Sequence, residues 1–355
     1  MIRVGLVGFG TSGTVFHGPL ISSIEGLELA AVVERSSSSA EARYPGITTY
    51  RTLEAMLEDR SLGLFVVATP SGTHFQIARQ ILEAGKHAVV DKPMATRSGE
   101  IAELMRIAAE RNLLLIPFHN RRWDGDFLTV QRLLHEGSIG RLVHFESRFD
   151  RWRPLPRARW REDPALGGGI LLDLGTHLAD QALVLFGLPE AVRAEIRCER
   201  DGARADDAFT IQLRYAGLMV ALGANCLSLP AGPRFWLRGT NGNYRKFGLD
   251  GQEAALKRIA RIEDPAWGQE PVANWGELKT DTGTEILERS VEPLPGDYRR
   301  FYLGVRDALE GNGAAPVRAS AAWRVARLLE WAAESSSERR EISCDWSLEP
   351  STSSP

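Results

Sequence analysis

At 355 residues, with 43% hydrophobic and 25% charged side chains, the chain exceeds one typical domain and has an ordinary globular composition, which excludes a fibrous or low-complexity polymer. Its formal net charge of −3 creates no basic field, so nucleic acid is not an expected partner. Cys198, Cys226 and Cys344 show neither CxxC nor mixed Cys/His spacing, so neither a metal site nor a disulfide framework is expected, and reduced thiols suit a cytoplasmic protein.

The first stretch, MIRVGLVGFG, reads as a strand over 2–7 rather than a signal peptide, and no apolar run approaches the roughly 20 residues of a membrane span. Gly8, Phe9, Gly10, Thr11, Ser12 and Gly13 follow at once and open a helix to about residue 24. This is GxGxxG between a strand and a helix, the setting in which the motif binds a dinucleotide. Gly8 permits the turn, Gly10 admits a pyrophosphate, and Gly13 lets the helix approach the strand. The second strand, 28–33, ends in Glu34, where a carboxylate can accept the ribose hydroxyls of NAD. Arg35 and Ser36 would suit the 2′-phosphate of NADP. The cofactor is therefore NAD or NADP, with Glu34 favouring NAD.

Strands at 64–68, 87–90 and 113–117 alternate with helices ending near 84 and 111, the pattern of a doubly wound parallel sheet. Such sheets bind ligands at the carboxyl ends of their strands. Those ends carry Thr69, Pro70 and His74, then Asp91 and Lys92 before Pro93, then Asn120 and Arg121. Lys92 ends an apolar strand on backbone that the following proline keeps out of the helical region, at the cofactor mouth.

Beyond 121 the pattern changes. Residues 142–152 alternate apolar and polar, as a half-solvated antiparallel strand does. Strands at 191–198, 209–215, 218–229 and 235–239 continue the series, with Tyr215-Ala216-Gly217 as a hairpin turn. The fold is thus an α/β dinucleotide-binding domain (1–120) followed by an α+β domain (121–346), with a disordered tail at 347–355. Both faces of 218–229 are apolar or small, which predicts a second subunit packed sheet on sheet. Residues 153–163 form either a solvated loop or a cover whose Trp160 and Arg161 meet a polar substrate. Residues 239–251 and 264–281 read as loop-rich insertions, and 297–309 and 320–333 as amphipathic helices.

The stretch GGGILLDLGTHLAD at 167–180 runs three glycines into an apolar helical repeat. Asp173 and His177 stand at i and i+4, on one helix face. An acid that orients an imidazole able to take a proton is the arrangement of an acid–base site. The glycines would bring the helix start close to its ligands, and Asp180 would orient the ring or pack.

These motifs together resemble the family of glucose–fructose oxidoreductase, inositol 2-dehydrogenase and MocA-like proteins, over essentially the full length. GFGTSG, TPSGTH, DKP (more often EKP in the family) and GGGxLxDxGxHxxD carry the likeness. FHGPLI at 16–21 and FHNRRWDGDF at 118–127 look like the subgroup holding NADP-dependent scyllo-inositol dehydrogenases. The resemblance implies a Rossmann domain, an open-faced, mostly antiparallel sheet, assembly as dimers or tetramers, and a catalytic set that falls on Lys92, Asp173 and His177.

The expected activity is oxidation of a secondary alcohol on a sugar or cyclitol by NAD(P), without metal. His177 takes the proton, Lys92 stabilises the oxygen, Asp173 orients the pair and Asn120 holds the nicotinamide-side ribose. Arg121, Trp123, Trp160 and Arg161 are the candidate substrate contacts. Two alternatives are NAD-dependent glycoside cleavage without net redox change and a non-catalytic dinucleotide-binding regulator.

Overall fold

The computed structural model describes residues 1–258 and 262–350. Six strands form the first sheet: β1 (Ile2–Val7), β2 (Leu27–Val33), β3 (Thr48–Tyr50), β4 (Leu64–Val67), β5 (His87–Val90) and β6 (Leu115–Pro117). All pairs are parallel, in the order β3-β2-β1-β4-β5-β6. The strands are short and apolar because helices cover both faces. The order reverses between β1 and β4, which opens a crevice at their carboxyl ends.

One face of this sheet packs against Ile81, Leu104 and Trp323. The other packs against Leu20, Ile21, Phe301, Tyr302 and Val305, so the helix Arg299–Leu309 returns from the far end of the chain to cover the first sheet.

Nine strands form the second sheet: β7 (Leu142–Asp150), β8 (Ala191–Arg197), β9 (Ala208–Tyr215), β10 (Leu218–Asn225), β11 (Phe235–Gly239), β12 (Gly242–Lys246), β13 (Gly276–Asp281), β14 (Ile286–Val291) and β15 (Ile342–Ser343). Their order is β14-β13-β12-β11-β7-β10-β9-β8-β15. Every pair is antiparallel except β7 with β10. The half-solvated alternation of β7 is present, with Phe145, Ser147 and Phe149 buried, but the strand is not purely antiparallel: it lies parallel to β10, which the sequence alternation cannot distinguish.

The expected insertions contain β12 and β13, and β14 follows. Each has charged residues, and five of the six residues of β14, the edge strand, are exposed, so these strands read as loop. The inner face of the second sheet packs on the helices Gly125–His135, Thr176–Phe186 and Ala319–Glu338 through Val130, Leu178, Phe209, Leu222 and Leu328.

The stretch Pro164–Phe186 is long and apolar enough to cross a membrane by length and composition, contrary to the expectation that no run came close. Its most apolar 18-residue window is 67% buried inside the protein, as a core helix is. The tail is ordered as far as it is described: Trp346–Leu348 form a turn and Glu349 pairs with Arg324 at 2.8 Å. Residues 351–355 lie outside the described residues. The three cysteines are free thiols.

Candidate active site

A cavity of about 800 Å³ lies along the carboxyl ends of β1, β2, β4 and β5, within the range of about 300–1,000 Å³ typical of cofactor sites. Its wall includes Gly8, Phe9, Gly10, Thr11, Ser12, Glu34, Arg35, Thr69, Pro70, Asp91 and Lys92. On the opposite side stand Trp160, Arg161, Gly167, Gly168, Gly169 and Asp173. Gly8 has φ +99°, which only glycine adopts without strain, and a Cβ on Gly10 would meet no protein atom within 4 Å. A Cβ on Gly13 would collide with the carbonyl oxygen of Gly8. The turn is thus tight where the protein is close and bare where a ligand would pass, and this cradle fits a dinucleotide pyrophosphate.

The helix after this turn widens into a π segment, Gly13–His17. His17, fully buried, reaches Tyr302 Oη through Nδ1 at 2.6 Å and approaches Asp91 through Nε2 at 3.7 Å. Asp91 also accepts from Ser12 Oγ at 2.5 Å and from the Lys92 amide at 2.7 Å. Burial alone would raise the Asp91 carboxyl, but His17, His74 and Ser12 hold it well below the usual carboxylate range. Asp91 therefore ties the helix start to the backbone beneath Lys92. His17 was visible only as part of FHGPLI, since its partner Tyr302 is 285 positions away.

Glu34 departs from expectation. Its Oε1 accepts from Ser37 Oγ at 2.6 Å, Ser39 Oγ at 2.5 Å and Ser39 N at 3.2 Å, and Oε2 accepts from Ala40 N at 2.9 Å. Burial would raise its pKa, but these donors hold it below the ordinary value. A hydrogen bond to a charged group contributes about 1.5–3 kcal/mol, so a ribose would have to displace several such contacts. Glu34 holds its own loop rather than standing free for the ribose. Arg51 braces the same loop, donating to Glu34 O at 2.9 Å and to Ser38 Oγ at 3.0 Å. The serine run 36–39 was the sequence signal for this local capping.

Lys92 and Asp173, 81 positions apart, meet across the cavity. Lys92 Nζ donates to Asp173 Oδ1 at 2.8 Å and to the Asp173 carbonyl at 2.7 Å. Arg151 Nη1 and Arg161 Nε each stand 3.8 Å from the same carboxylate. Burial works to raise the Asp173 carboxyl, but Lys92, Arg151 and Arg161 hold it far below. Asp173 lies in a second π segment, Leu171–Gly175, and His177 is the second residue of the α-helical continuation Thr176–Phe186; π-bulges of this kind recur at functional sites. The carboxylate turns to Lys92, not to the imidazole, so the expectation that Asp173 orients the ring of His177 is corrected.

His177 is 5% exposed. Burial, then the charges of Lys92, Arg121, His119 and Arg234, push its pKa well below the ordinary 6.5. It is a neutral imidazole in a cationic setting. Asp180 does not serve it: Arg122 holds Asp180 with bonds of 2.8 and 2.6 Å, and His119 lies 3.8 Å away.

Other expected contacts are placed differently. His74 is 1% exposed, with its ring nitrogens 2.7 Å from Pro93 O and 2.8 Å from Thr69 O. It pins two strand-end loops together and does not face the cavity. Asn120 is buried at the start of the turn Asn120–Trp123, off the cavity wall. Arg121 is buried too, its Nη1 and Nη2 paired with Asp124 at 3.2 Å and Glu253 at 2.5 Å and its Nε without a partner, and it is off the cavity wall. Trp123 packs edge-on against Phe301 at 5.9 Å.

Only Trp160 and Arg161 of the expected substrate contacts line the cavity, with the guanidinium 4.4 Å over the indole. The glycines explain how that turn fits. A Cβ on Gly168 would press on the carbonyl oxygens of Trp160, Arg161 and Asp163 at 2.7 Å, and one on Gly169 would collide with Asp206. The close approach they permit is that of the protein's own loop and of Asp206, where the sequence suggested a ligand.

Fold and cavity define a nicotinamide-dependent oxidoreductase with a dinucleotide-binding sheet joined to a large mixed sheet. Residues 2–119 match the oxidoreductase family with an NAD-binding Rossmann fold, and 127–245 match the GFO/IDH/MocA C-terminal domain. The chain belongs to this GFO/IDH/MocA family. It is similar to the uncharacterized oxidoreductase YdgJ of Escherichia coli, at 41% identity over 96% of this chain and 98% of that one. It is also similar to scyllo-inositol 2-dehydrogenase (NADP(+)) IolW of Bacillus subtilis, at 36% identity over 96% of this chain and 95% of that one. The solved structure of yvaA from Bacillus subtilis superposes with a TM-score of 0.94 at 36% identity, covering 97% of this chain and 98% of that one.

Proposed function

We propose that this oxidoreductase interconverts a secondary alcohol and a ketone on a sugar, cyclitol or related polyol. The observation that carries the reading is the ion pair of Lys92 with Asp173 at 2.8 Å on the wall of the dinucleotide cavity, with His177 buried four residues beyond Asp173, off that wall but within the electrostatic reach of Lys92. A bound nicotinamide supplies the hydride acceptor or donor. His177, held unprotonated, takes the hydroxyl proton during oxidation. Lys92 donates a hydrogen bond to the same oxygen and stabilises its developing negative charge, and Asp173 fixes the ammonium in place. In reduction the two groups act in reverse. The residues 1–120 then serve as the cofactor module and 121–346 as the substrate and assembly module.

We further infer that NADP is accepted at least as readily as NAD. With Glu34 satisfied inside its loop, Arg35 and Ser36 offer the donors at that end of the cavity, and the relative IolW is named for NADP(+). The test is a panel of polyols and sugars, each run with NAD and NADP, read at the absorbance of the reduced nicotinamide. Turnover of at least one polyol, with NADP equal to or better than NAD, is expected. Glycoside cleavage without absorbance change, or turnover with NAD alone, would contradict the respective part.

The outer face of the second sheet supports assembly with a second copy. Met219 and Trp236 are 46% and 38% exposed there, set among polar side chains such as His144 and Glu146 of β7, and apolar anchors on a polar face suit an isologous contact. Sedimentation should show a dimer or tetramer for the native chain and a smaller species for Trp236→Glu. An unchanged sedimentation coefficient in that variant would remove this face from the interface.

A further inference from the structure

We infer that the substrate carries a negative charge, a carboxylate or phosphate on its sugar or cyclitol frame, and that Arg151 and Arg161 bind it. This rests on the hydride-transfer reading of the same site. Charge is unbalanced among the buried and half-buried groups around Asp173. Arg121 has Asp124 and Glu253 within 3.2 Å, and Arg234 has Asp126 at 3.6 Å. Lys92 has Asp173 at 2.8 Å. Arg151 and Arg161 have no other carboxylate partner among the described residues than that same Asp173, each at 3.8 Å. Three cations thus share one anion, and two positive charges are left over.

Both guanidiniums are screened from bulk water, with side-chain exposures of 22% and 33%. Burial lowers the Arg151 pKa and only Asp173 and Glu253 oppose that, so this charge is costly without a counter-charge. A planar guanidinium with open donors is suited to a carboxylate or phosphate held by paired hydrogen bonds. Trp160, stacked on Arg161, adds a flat surface for the sugar ring. A neutral polyol would bring no counter-charge to the pair, whereas an anionic sugar cancels one of the charges or both. Arg151 belongs to no glycine motif and follows directly on β7, so only the fold brings it to Asp173.

The test compares glucose, glucuronate and glucose 6-phosphate, by turnover and by calorimetric binding to the NADP-loaded protein, in the native chain and in Arg161→Met, Arg151→Met and the double variant. One or both charged sugars should bind about 10- to 100-fold more tightly than glucose. That ratio should fall toward unity in the double variant. The two charged sugars share the pyranose ring and differ at C6, a carboxylate in one and a longer, more highly charged phosphate ester in the other, so their ranking shows which anion the pair prefers. Equal binding of glucose and both anions by the native chain would overturn the inference while leaving hydride transfer intact. So would variants that weaken NADP binding but keep the charge ratio, since the pair would then belong to the cofactor. A charge ratio that holds in binding while no sugar is ever oxidised would uphold the inference and count against the hydride-transfer reading. Arg161→Met, on the cavity wall, keeps the test usable if Arg151→Met fails to fold.

Discussion

His177→Ala is expected to lower kcat by about 10²–10⁴-fold, the usual contribution of a positioned acid or base, while Kd for the dinucleotide stays within a small factor. The imidazole sits on the helix of the second half, and the glycine turn that cradles the cofactor lies in the first. Chemistry and cofactor binding are therefore separable in this variant. The pH dependence follows from the sign of the shift. Burial and the surrounding cations depress the His177 pKa below 6.5, so the neutral, proton-accepting form persists as pH falls through 6.5 and is lost only at lower pH. The acid limb of kcat/KM for oxidation should lie below 6.5. A limb at or above that value would show that another group is the base.

Lys92→Met is expected to cost about 10²–10³-fold in kcat, as removal of one oxyanion donor does in other enzymes. A second consequence separates this from simple loss of a hydrogen bond. Asp173 would lose its 2.8 Å partner and fall to Arg151 and Arg161 at 3.8 Å, drawing those guanidiniums inward. KM for the substrate should therefore change along with kcat, whereas in His177→Ala it should change little. Steady-state kinetics on the two variants, with circular dichroism as a check on folding, distinguish the cases. Equal and small effects in both would remove the pair from the chemistry.

Much of the fold could be read from local pattern. Apolar runs of four to seven residues between amphipathic helices identify a parallel sheet, and glycines with φ > 0 leave a signature at the turn. The strands β12 to β14 escaped notice because polar, half-exposed strands share their composition with loops. In the site, Lys92 was legible from its strand-end position and Asp173 from its spacing to His177, yet that spacing suggested the wrong partner. An i, i+4 pair presumes an α-helix, and here the π turn Leu171–Gly175 and a lysine 81 positions away redirect the carboxylate. Glu34 misled for the converse reason: the partners were local, in the serines that follow it, while position alone suggested a ribose. Arg121 and Trp123 stood beside motif residues but were claimed by Glu253 and Phe301, far along the chain. Arg151 and His17 were missed because nothing near them in sequence hints at their partners.

The central claim is that hydride passes between a substrate carbinol carbon and a nicotinamide at the site of Lys92, Asp173 and His177. Its most direct test uses a polyol found active in the panel, deuterated at its carbinol carbons, incubated with oxidised cofactor, with mass spectrometry of the recovered nicotinamide. The native enzyme should place one deuterium on the nicotinamide per turnover, without exchange with solvent, and His177→Ala and Lys92→Met should do so far more slowly. An unlabelled nicotinamide alongside product, or label transfer undiminished in both variants, would contradict it.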